Sequence, residues 1–190
     1  MTSTSSLAGK RVLVTGGSRG IGAAIVRRLA SQGATVAVNY RSDRAAADAL
    51  VGELRDNGCA ASAFPADVSD VAQTHELVGA VVSEFGGLDL LVSNAGVEHF
   101  GALDTITQVL ATELGPRKIR VNSINPGMVE SEGTHTAGII GSEFQKNVEA
   151  SAPLGRIGQP EDVAKVAVFL ASDDSSWLTG ERISASGGHR

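Results

Sequence analysis

Short runs of β-branched and aliphatic residues alternate along the chain with longer segments whose apolar residues recur at helical spacing. This pattern predicts three strand and helix pairs, over residues 11–15 and 22–31, 35–39 and 44–57, and 60–65 and 71–85. Apolar runs without alternation, such as Leu90-Leu91-Val92, are typical of parallel strands that helices cover on both faces. The pattern therefore predicts an α/β fold with a doubly wound, mostly parallel sheet.

The second half of the chain continues the pattern less regularly. Further strands are predicted over residues 88–93, 119–124 and 182–184. A helix is predicted to begin at Pro160, because proline suits the first turn and the acids Glu161 and Asp162 suit the positive end of the helix dipole. With 190 residues, 42% of them hydrophobic, the chain is expected to form a single domain over residues 1–190.

The segment Thr15–Gly22 follows the first strand and opens the first helix, as a phosphate-binding loop does. Gly16 permits the sharp turn, Gly20 lets the backbone approach a pyrophosphate, and Gly22 allows the helix to pack closely on the strand. A plain turn without a ligand is the alternative, but strand, loop and helix in this order favour a dinucleotide site. The loop residues expected to contact the dinucleotide are Gly16, Ser18, Arg19, Gly20, Ile21 and Gly22.

The spacing of these glycines and the sequence Ser93-Asn94-Ala95-Gly96 resemble the two cofactor motifs of the short-chain dehydrogenase/reductase family. Residues 125–129, Asn-Pro-Gly-Met-Val, resemble its nicotinamide-side loop. The likeness runs over nearly the whole chain and is strongest to 3-oxoacyl-carrier-protein reductases and glucose-dehydrogenase-like members. The resemblance implies further cofactor contacts at Asp67 and Val68 beside the adenine, at Asn94, Ala95 and Gly96 beside the ribose, and at Pro126, Gly127, Val129 and Ser131 on the nicotinamide side.

The family resemblance also implies a Rossmann fold, carbonyl reduction or alcohol oxidation of a small-molecule substrate, and a homo-oligomer. NADP is favoured over NAD because Tyr40, Arg41 and Ser42 stand where an NAD site usually carries a carboxylate for the ribose hydroxyls. Arg19 and Arg41 would suit a 2′-phosphate. Asp43 lies close enough in the sequence to keep NAD open as the alternative.

Members of the family donate a proton from a Tyr, lower its pKa with a Lys four residues later, and orient the carbonyl with a Ser. Tyr40 is the one tyrosine here, and Arg44 stands four residues after it, so no catalytic residue is assigned. Only 29 residues separate Gly96 from Pro126. The resemblance therefore implies that a central helix, strand and helix are missing near residues 107–109, with residues 102–108 resembling the entry to the first missing helix and residues 109–114 the last turns of the second. An inactive NADP-binding protein or a truncation product is the alternative to an active reductase.

Two arrangements of the neighbouring strands follow from the missing segment. If the segment exists but is unrecorded, the strands at Leu90 and Ile119 should lie roughly 9 to 10 Å apart, which is two strand spacings. If it is deleted, they could pair directly at about 4.8 Å.

Composition narrows the function classes further. The formal charge of −5 and the absence of long basic runs argue against nucleic acid as a partner. No apolar stretch long enough for a membrane span or secretory signal is visible, so a cytoplasmic protein is expected. Cys59 is the one cysteine, and no cluster has metal-ligand spacing, so no metal site is predicted. Residues 131–154 are a candidate substrate lid, with a long disordered connection as the alternative.

Overall fold

The computed structural model describes residues 7–95 and 102–189, with side chains in the second range described from residue 105 onward. The chain divides into two compact units, Met1–Gly96 and Val97–Arg190. One continuous domain over residues 1–190 stays a prediction. None of the helices in the described ranges combines the length and the apolar character of a membrane span.

The first unit is a four-stranded parallel sheet with three helices, as the sequence pattern predicts. Its elements are β1 (Arg11–Val14), α1 (Gly20–Ser31), β2 (Thr35–Tyr40), α2 (Arg44–Asp56), β3 (Ala61–Pro65), α3 (Val71–Phe85) and β4 (Leu90–Val92). The strand order is β3-β2-β1-β4, so the chain moves outward from β1 on one side and then returns to its other side. The carboxyl ends of strands at such a reversal are the usual ligand position in open α/β sheets.

The core of the first unit consists of the two central strands and the helix faces against them. Val12 to Val14 in β1 and Val36 to Val38 in β2 are at most 1% exposed. On one face, a cluster formed by Leu13, Ala37, Phe64, Ala66, Leu77 and Val81 joins β1, β2 and β3 to α3. Burial on both faces explains why the sequence of these strands shows no alternation.

An ion pair ties the start of β1 to the start of β4. The Arg11 guanidinium donates to both carboxylate oxygens of Asp89 at 2.7 and 2.9 Å, and the Arg11 backbone N–H donates to the same carboxylate at 2.8 Å. These hydrogen bonds lower the pKa of Asp89 to about 2. Arg11 also donates to the carbonyl oxygen of Gly86, which caps α3 in the left-handed conformation.

Asp89→Asn should lower the free energy of unfolding by about 1 kcal/mol at pH 7, after allowance for solvent screening of this partly exposed pair. Because the folded pKa lies below the ordinary 3.8, the stabilisation is complete at neutral pH and disappears as the pH falls from about 4 to 2. Urea unfolding at pH 7 and pH 3 measures both effects. Asp48→Asn is the matched control, since Asp48 pairs with Arg44 on the exposed surface of α2. Equal losses for the two variants would contradict the prediction.

The second unit contains four helices and a two-stranded parallel sheet among its described residues. Its elements are α4 (Ala102–Leu114), β5 (Ser123–Pro126), α5 (Glu132–Thr136), α6 (Glu143–Ser151), α7 (Pro160–Ala171) and β6 (Arg182–Ala185). Short 3-10 turns occupy Gly115–Arg117 and Asp173–Ser175. Helix α7 begins at Pro160 as predicted and buries Val163, Ala164 and Ala167.

Strand β5 begins four residues later than the sequence predicts. The residues before it bind a loop instead: the Val121 carbonyl accepts from Gly180 N–H at 2.7 Å, and the Val121 N–H donates to Thr179 Oγ1 at 3.1 Å. Arg120 donates to the carbonyl oxygens of Leu170 and Leu178 at 2.8 and 3.2 Å. Side-chain and loop hydrogen bonds of this kind leave no periodic signal in the sequence.

A single helix spans the predicted join at residues 107–109. Helix α4 runs continuously from Ala102 to Leu114, buries Thr107 and Ala111, and leaves Ile106 and Val109 at least half exposed. The described strands form one sheet in each unit, β3-β2-β1-β4 in the first and β5-β6 in the second, and the spacing between the strands at Leu90 and Ile119 stays a prediction. The remnants of two helices that the sequence indicates are therefore one helix here.

Candidate functional site

The loop after β1 is built around glycines that other residues could not replace without rearrangement. Gly16 and Gly20 have φ values of 59° and 52°, in the left-handed region that disfavours side chains. A Cβ added at Gly22 would overlap the carbonyl oxygen of Gly16 and lie 2.6 Å from Nδ2 of Asn94. The loop and the first turn of α1 are therefore in close backbone contact, as the sequence predicts for a phosphate-binding turn.

Thr15 and Asn94 hold this loop against the end of β4. The Thr15 hydroxyl oxygen accepts from the backbone N–H groups of Asn94 and Ala95, both at 3.0 Å. In return, Asn94 Nδ2 donates to the carbonyl oxygens of Thr15 and Gly16 at 3.1 and 3.2 Å. These four bonds fix the ends of β1 and β4 relative to each other, and they require both a hydroxyl and a side-chain amide.

Asn39 joins the same loop to the end of β3. It is 1% exposed, and its backbone carbonyl and Oδ1 accept from the N–H groups of Gly17 and Gly16 at 2.9 and 3.3 Å. Its Nδ2 donates to the carbonyl oxygens of Phe64 and Ala66, each at 3.2 Å. A buried amide with its donors and acceptors satisfied rigidifies the strand ends that it joins.

Helix α1 begins differently from the other two helices of the first unit. Asp43 caps α2 by accepting from the Ala46 N–H at 3.0 Å, and Asp70 caps α3 by accepting from the N–H groups of Ala72 and Gln73. At α1 the cap position is Arg19, which provides no side-chain cap. The N–H groups of an α-helix's first turn have no partner within the helix, so a start without a carboxylate cap suits an anionic ligand.

Charged residues surround the carboxyl end of β2. Arg19 Nε lies 3.9 Å from Asp43 Oδ2, and both side chains are more than a third exposed. Arg41 is exposed after β2, and its charge acts on Asp67. The hydroxyl and backbone N–H of Ser69 donate to Asp67 Oδ1 at 2.7 and 3.0 Å, which lowers the pKa of Asp67.

The remaining predicted residues of the first unit lie around this end of the sheet. Tyr40 is 7% exposed, so little of its side chain is accessible to a ligand. Ser42 is exposed, whereas Val68 is half-buried against the core cluster that contains Phe64 and Leu77. Gly96 lies outside the described residues.

In the second unit, the loop after β5 is packed closely on β6. A Cβ at Gly127 would lie 2.8 Å from Cα of Ser186. Val129 is buried and forms a bridge with Gly158, and Pro126 is exposed at the end of β5. Ser131 caps α5 by accepting from the Thr134 N–H at 3.3 Å, so its hydroxyl has a structural role that the sequence did not indicate.

Two side chains hold Glu130, which directly follows Val129. Glu130 accepts from Gln159 Nε2 through one oxygen at 2.9 Å, and its other oxygen is 2.9 Å from His135 Nε2. The hydrogen bonds from Gln159 and His135 lower the pKa of Glu130. The candidate lid 131–154 contains α5 and α6, with Gly138 and Gly141 at φ values of 67° and 82° between them.

Comparison with known proteins assigns the chain to a family. A profile described as short chain dehydrogenase matches residues 10–106, and one described as enoyl-(acyl carrier protein) reductase matches residues 99–190. An uncharacterized oxidoreductase of Methylorubrum extorquens is 44% identical over 98% of this chain and 100% of its own length. The chain belongs to the short-chain dehydrogenase/reductase family.

Other members of the short-chain dehydrogenase/reductase family support the fold and the reaction class. A probable tetrahydroxynaphthalene reductase of Zymoseptoria tritici is 31% identical over 97% of this chain and 96% of its own length. The structure of a short chain dehydrogenase from Burkholderia cenocepacia in complex with NADP has a TM-score of 0.88 and 28% identity, covering 97% of this chain and 99% of that one. The Rossmann-type α/β fold expected from the sequence is confirmed.

The length of the alignment with the Methylorubrum oxidoreductase also shows that this chain is shorter than that relative. The alignment extends over 247 positions, whereas this chain has 190 residues, so at least 57 positions have no counterpart here. That length is enough for a helix, a strand and a second helix. The two profiles meet over residues 99–106, next to the join predicted at residues 107–109. Because the sole tyrosine is Tyr40, the chain has no Tyr-x-x-x-Lys motif.

The sequence predicts the loop glycines and Asn94 as site residues but indicates no role for Thr15 or Asn39. Thr15 stands in the loop motif, and its hydroxyl accepts two of the bonds that hold the loop to β4. Asn39 could have been recognised as a polar residue inside an otherwise apolar strand, because such a residue needs several partners when it is buried.

Proposed function

We propose that this chain binds NADP(H) and serves carbonyl reduction or alcohol oxidation of a small-molecule substrate. The observation that carries the proposal is the close approach of Gly22 to the Gly16 carbonyl oxygen and Asn94, at a helix start without a side-chain cap. This geometry suits a pyrophosphate bound by the first N–H groups of α1. Bound NADPH would supply the hydride for reduction.

The residues proposed to hold the cofactor in the first unit are Gly16, Ser18, Arg19, Gly20, Ile21 and Gly22 for the phosphates, Tyr40, Arg41 and Ser42 for the adenosine 2′-position, Asp67 and Val68 for the adenine, and Asn94, Ala95 and Gly96 for the ribose. The family resemblance assigns Pro126, Gly127, Val129 and Ser131 of the second unit to the nicotinamide side. The cytoplasmic location, the homo-oligomer and the lid role of residues 131–154 stay predictions.

The preference for NADP(H) over NAD(H) is proposed from the charges near β2. Asp43 is the nearest carboxylate after β2, but one of its oxygens caps α2 and the other faces Arg19. It is therefore less available for ribose hydroxyls than an unengaged carboxylate. Arg19 and Arg41 supply the cations that a 2′-phosphate requires.

Arg41→Ala and Arg19→Ala should each weaken NADPH binding about tenfold or more while changing NADH binding little, because each charge-assisted bond to phosphate contributes about 1.5–3 kcal/mol. Fluorescence titration with both cofactors measures the two affinities. Arg28→Ala in the last turn of α1 is the control and should leave both unchanged. Parallel losses of NADPH and NADH binding in the Arg19 and Arg41 variants would count against the assignment.

A second candidate is an NADP(H)-binding protein without turnover. It is favoured by the absence of a Tyr-x-x-x-Lys motif from the sequence. A hydroxyl without a neighbouring base is a poor proton donor at neutral pH, so other serines do not replace the motif. Assay of NADPH oxidation with a panel of carbonyl compounds separates the two candidates.

A further inference from the structure

Arg19 already has an anionic neighbour where the proposed cofactor would bring its 2′-phosphate. Its Nε lies 3.9 Å from Asp43 Oδ2, with side-chain exposures of 54% and 38%. Exposed ion pairs of this kind contribute little to stability and exchange partners readily. A phosphate that approaches Arg19 must therefore compete with a carboxylate that is close but weakly bound.

Asp43 is kept in this position by a separate interaction. Its Oδ1 accepts from the Ala46 N–H at 3.0 Å and caps α2, which directs the other oxygen toward Arg19. Arg41, the second cation of this region, is exposed, and its charge reaches the carboxylate of Asp67. Each of the two cations proposed for the 2′-phosphate thus has a nearby carboxylate.

We propose that Asp43 competes with the 2′-phosphate of NADP(H) for Arg19 and thereby limits the preference for NADP(H) over NAD(H). This inference rests on the proposed function, since it requires the cofactor to bind at the Thr15–Gly22 loop. NAD(H), which has a hydroxyl in place of the 2′-phosphate, meets no such competition. Asp43 is on this account a specificity-determining residue that makes the site more tolerant of NAD(H).

The test is Asp43→Asn, because asparagine caps helices about as well as aspartate while removing the negative charge. We expect the ratio of NADPH to NADH affinity to rise about two- to fivefold through tighter NADPH binding, in line with the small contribution of an exposed ion pair. Asp70→Asn makes the same change at the cap of α3 and should alter the ratio less than twofold. Because the ratio of the two affinities is measured within each variant, folding effects that weaken binding of both cofactors equally cancel.

A double variant tests whether Asp43 acts on cofactor preference through Arg19. In an Arg19→Ala background, Asp43→Asn should change the ratio less than twofold, since the cation for which the two anions compete is gone. An unchanged or lower ratio in the single variant, or an equal rise in both backgrounds, would overturn the inference while leaving the proposed function intact. If the parent chain binds neither cofactor, the proposed function fails and the inference fails with it.

Discussion

Inserting the segment that the Methylorubrum extorquens relative carries and this chain lacks should raise carbonyl-dependent NADPH oxidation at least a hundredfold. The insertion point is residues 107–109, within α4 and next to the meeting point of the two family profiles. General acid catalysis contributes about 10²–10⁴-fold to proton transfer, and the resemblance places the family's proton donor on the missing segment. Steady-state absorbance at 340 nm with a panel of carbonyl substrates measures the gain.

The matched control for this chimera replaces, with phenylalanine, the tyrosine of the Tyr-x-x-x-Lys motif that the family resemblance implies for the inserted segment. It should keep NADPH affinity within a few fold of the chimera and lose the gain in turnover. A folded chimera that binds NADPH but is no faster than the 190-residue chain would contradict the account. The same contradiction would follow if the 190-residue chain already oxidised NADPH with carbonyl substrates as fast as the chimera.

Gly22→Ala should weaken NADPH binding at least a hundredfold. The added Cβ would overlap the Gly16 carbonyl oxygen and approach Nδ2 of Asn94, so the loop must move away from the helix start. Because Asn94 also bonds Thr15 and Gly16, the displacement breaks the link between β1 and β4. Fluorescence titration with NADPH measures the loss, and circular dichroism reports whether the variant still folds.

Gly52→Ala is the matched control for this loss. Gly52 lies inside α2 with open space around it, so the same methyl group meets nothing within 4 Å. Alanine favours a helix over glycine by about 1 kcal/mol, so the control should be as stable as the parent or more stable. NADPH affinity that survives Gly22→Ala unchanged would show that the turn is not the phosphate site.

The first unit could be predicted from the sequence because its signals are local and periodic. Continuous apolar runs at β1 and β2 and helical spacing in α1 to α3 gave the element order, and the glycine spacing gave the site loop. The interactions that hold the loop could not be predicted in the same way. Asn39 and Asn94 bond residues that are about 25 to 80 positions away, and no short-range pattern specifies such partners.

The second unit was harder to predict because segments that the sequence assigns to separate elements form one element in the structure. Residues 102–114 form one helix, although their sequence resembles the start of one helix and the end of another. Residues 119–122 are predicted as part of a strand, but the backbone of Val121 bonds the loop at Thr179 and Gly180 instead. In both cases tertiary context overrode a local preference.

Calorimetric titration of the 190-residue chain with NADPH is the most direct test, because the proposed phosphate loop, Thr15–Gly22, lies wholly within this chain. The account predicts saturable binding of NADPH that is tighter than binding of NADH, with carbonyl turnover at least a hundredfold below that of the restored chimera. A folded chain that binds NADPH no more tightly than NADH, or that binds neither, would contradict it.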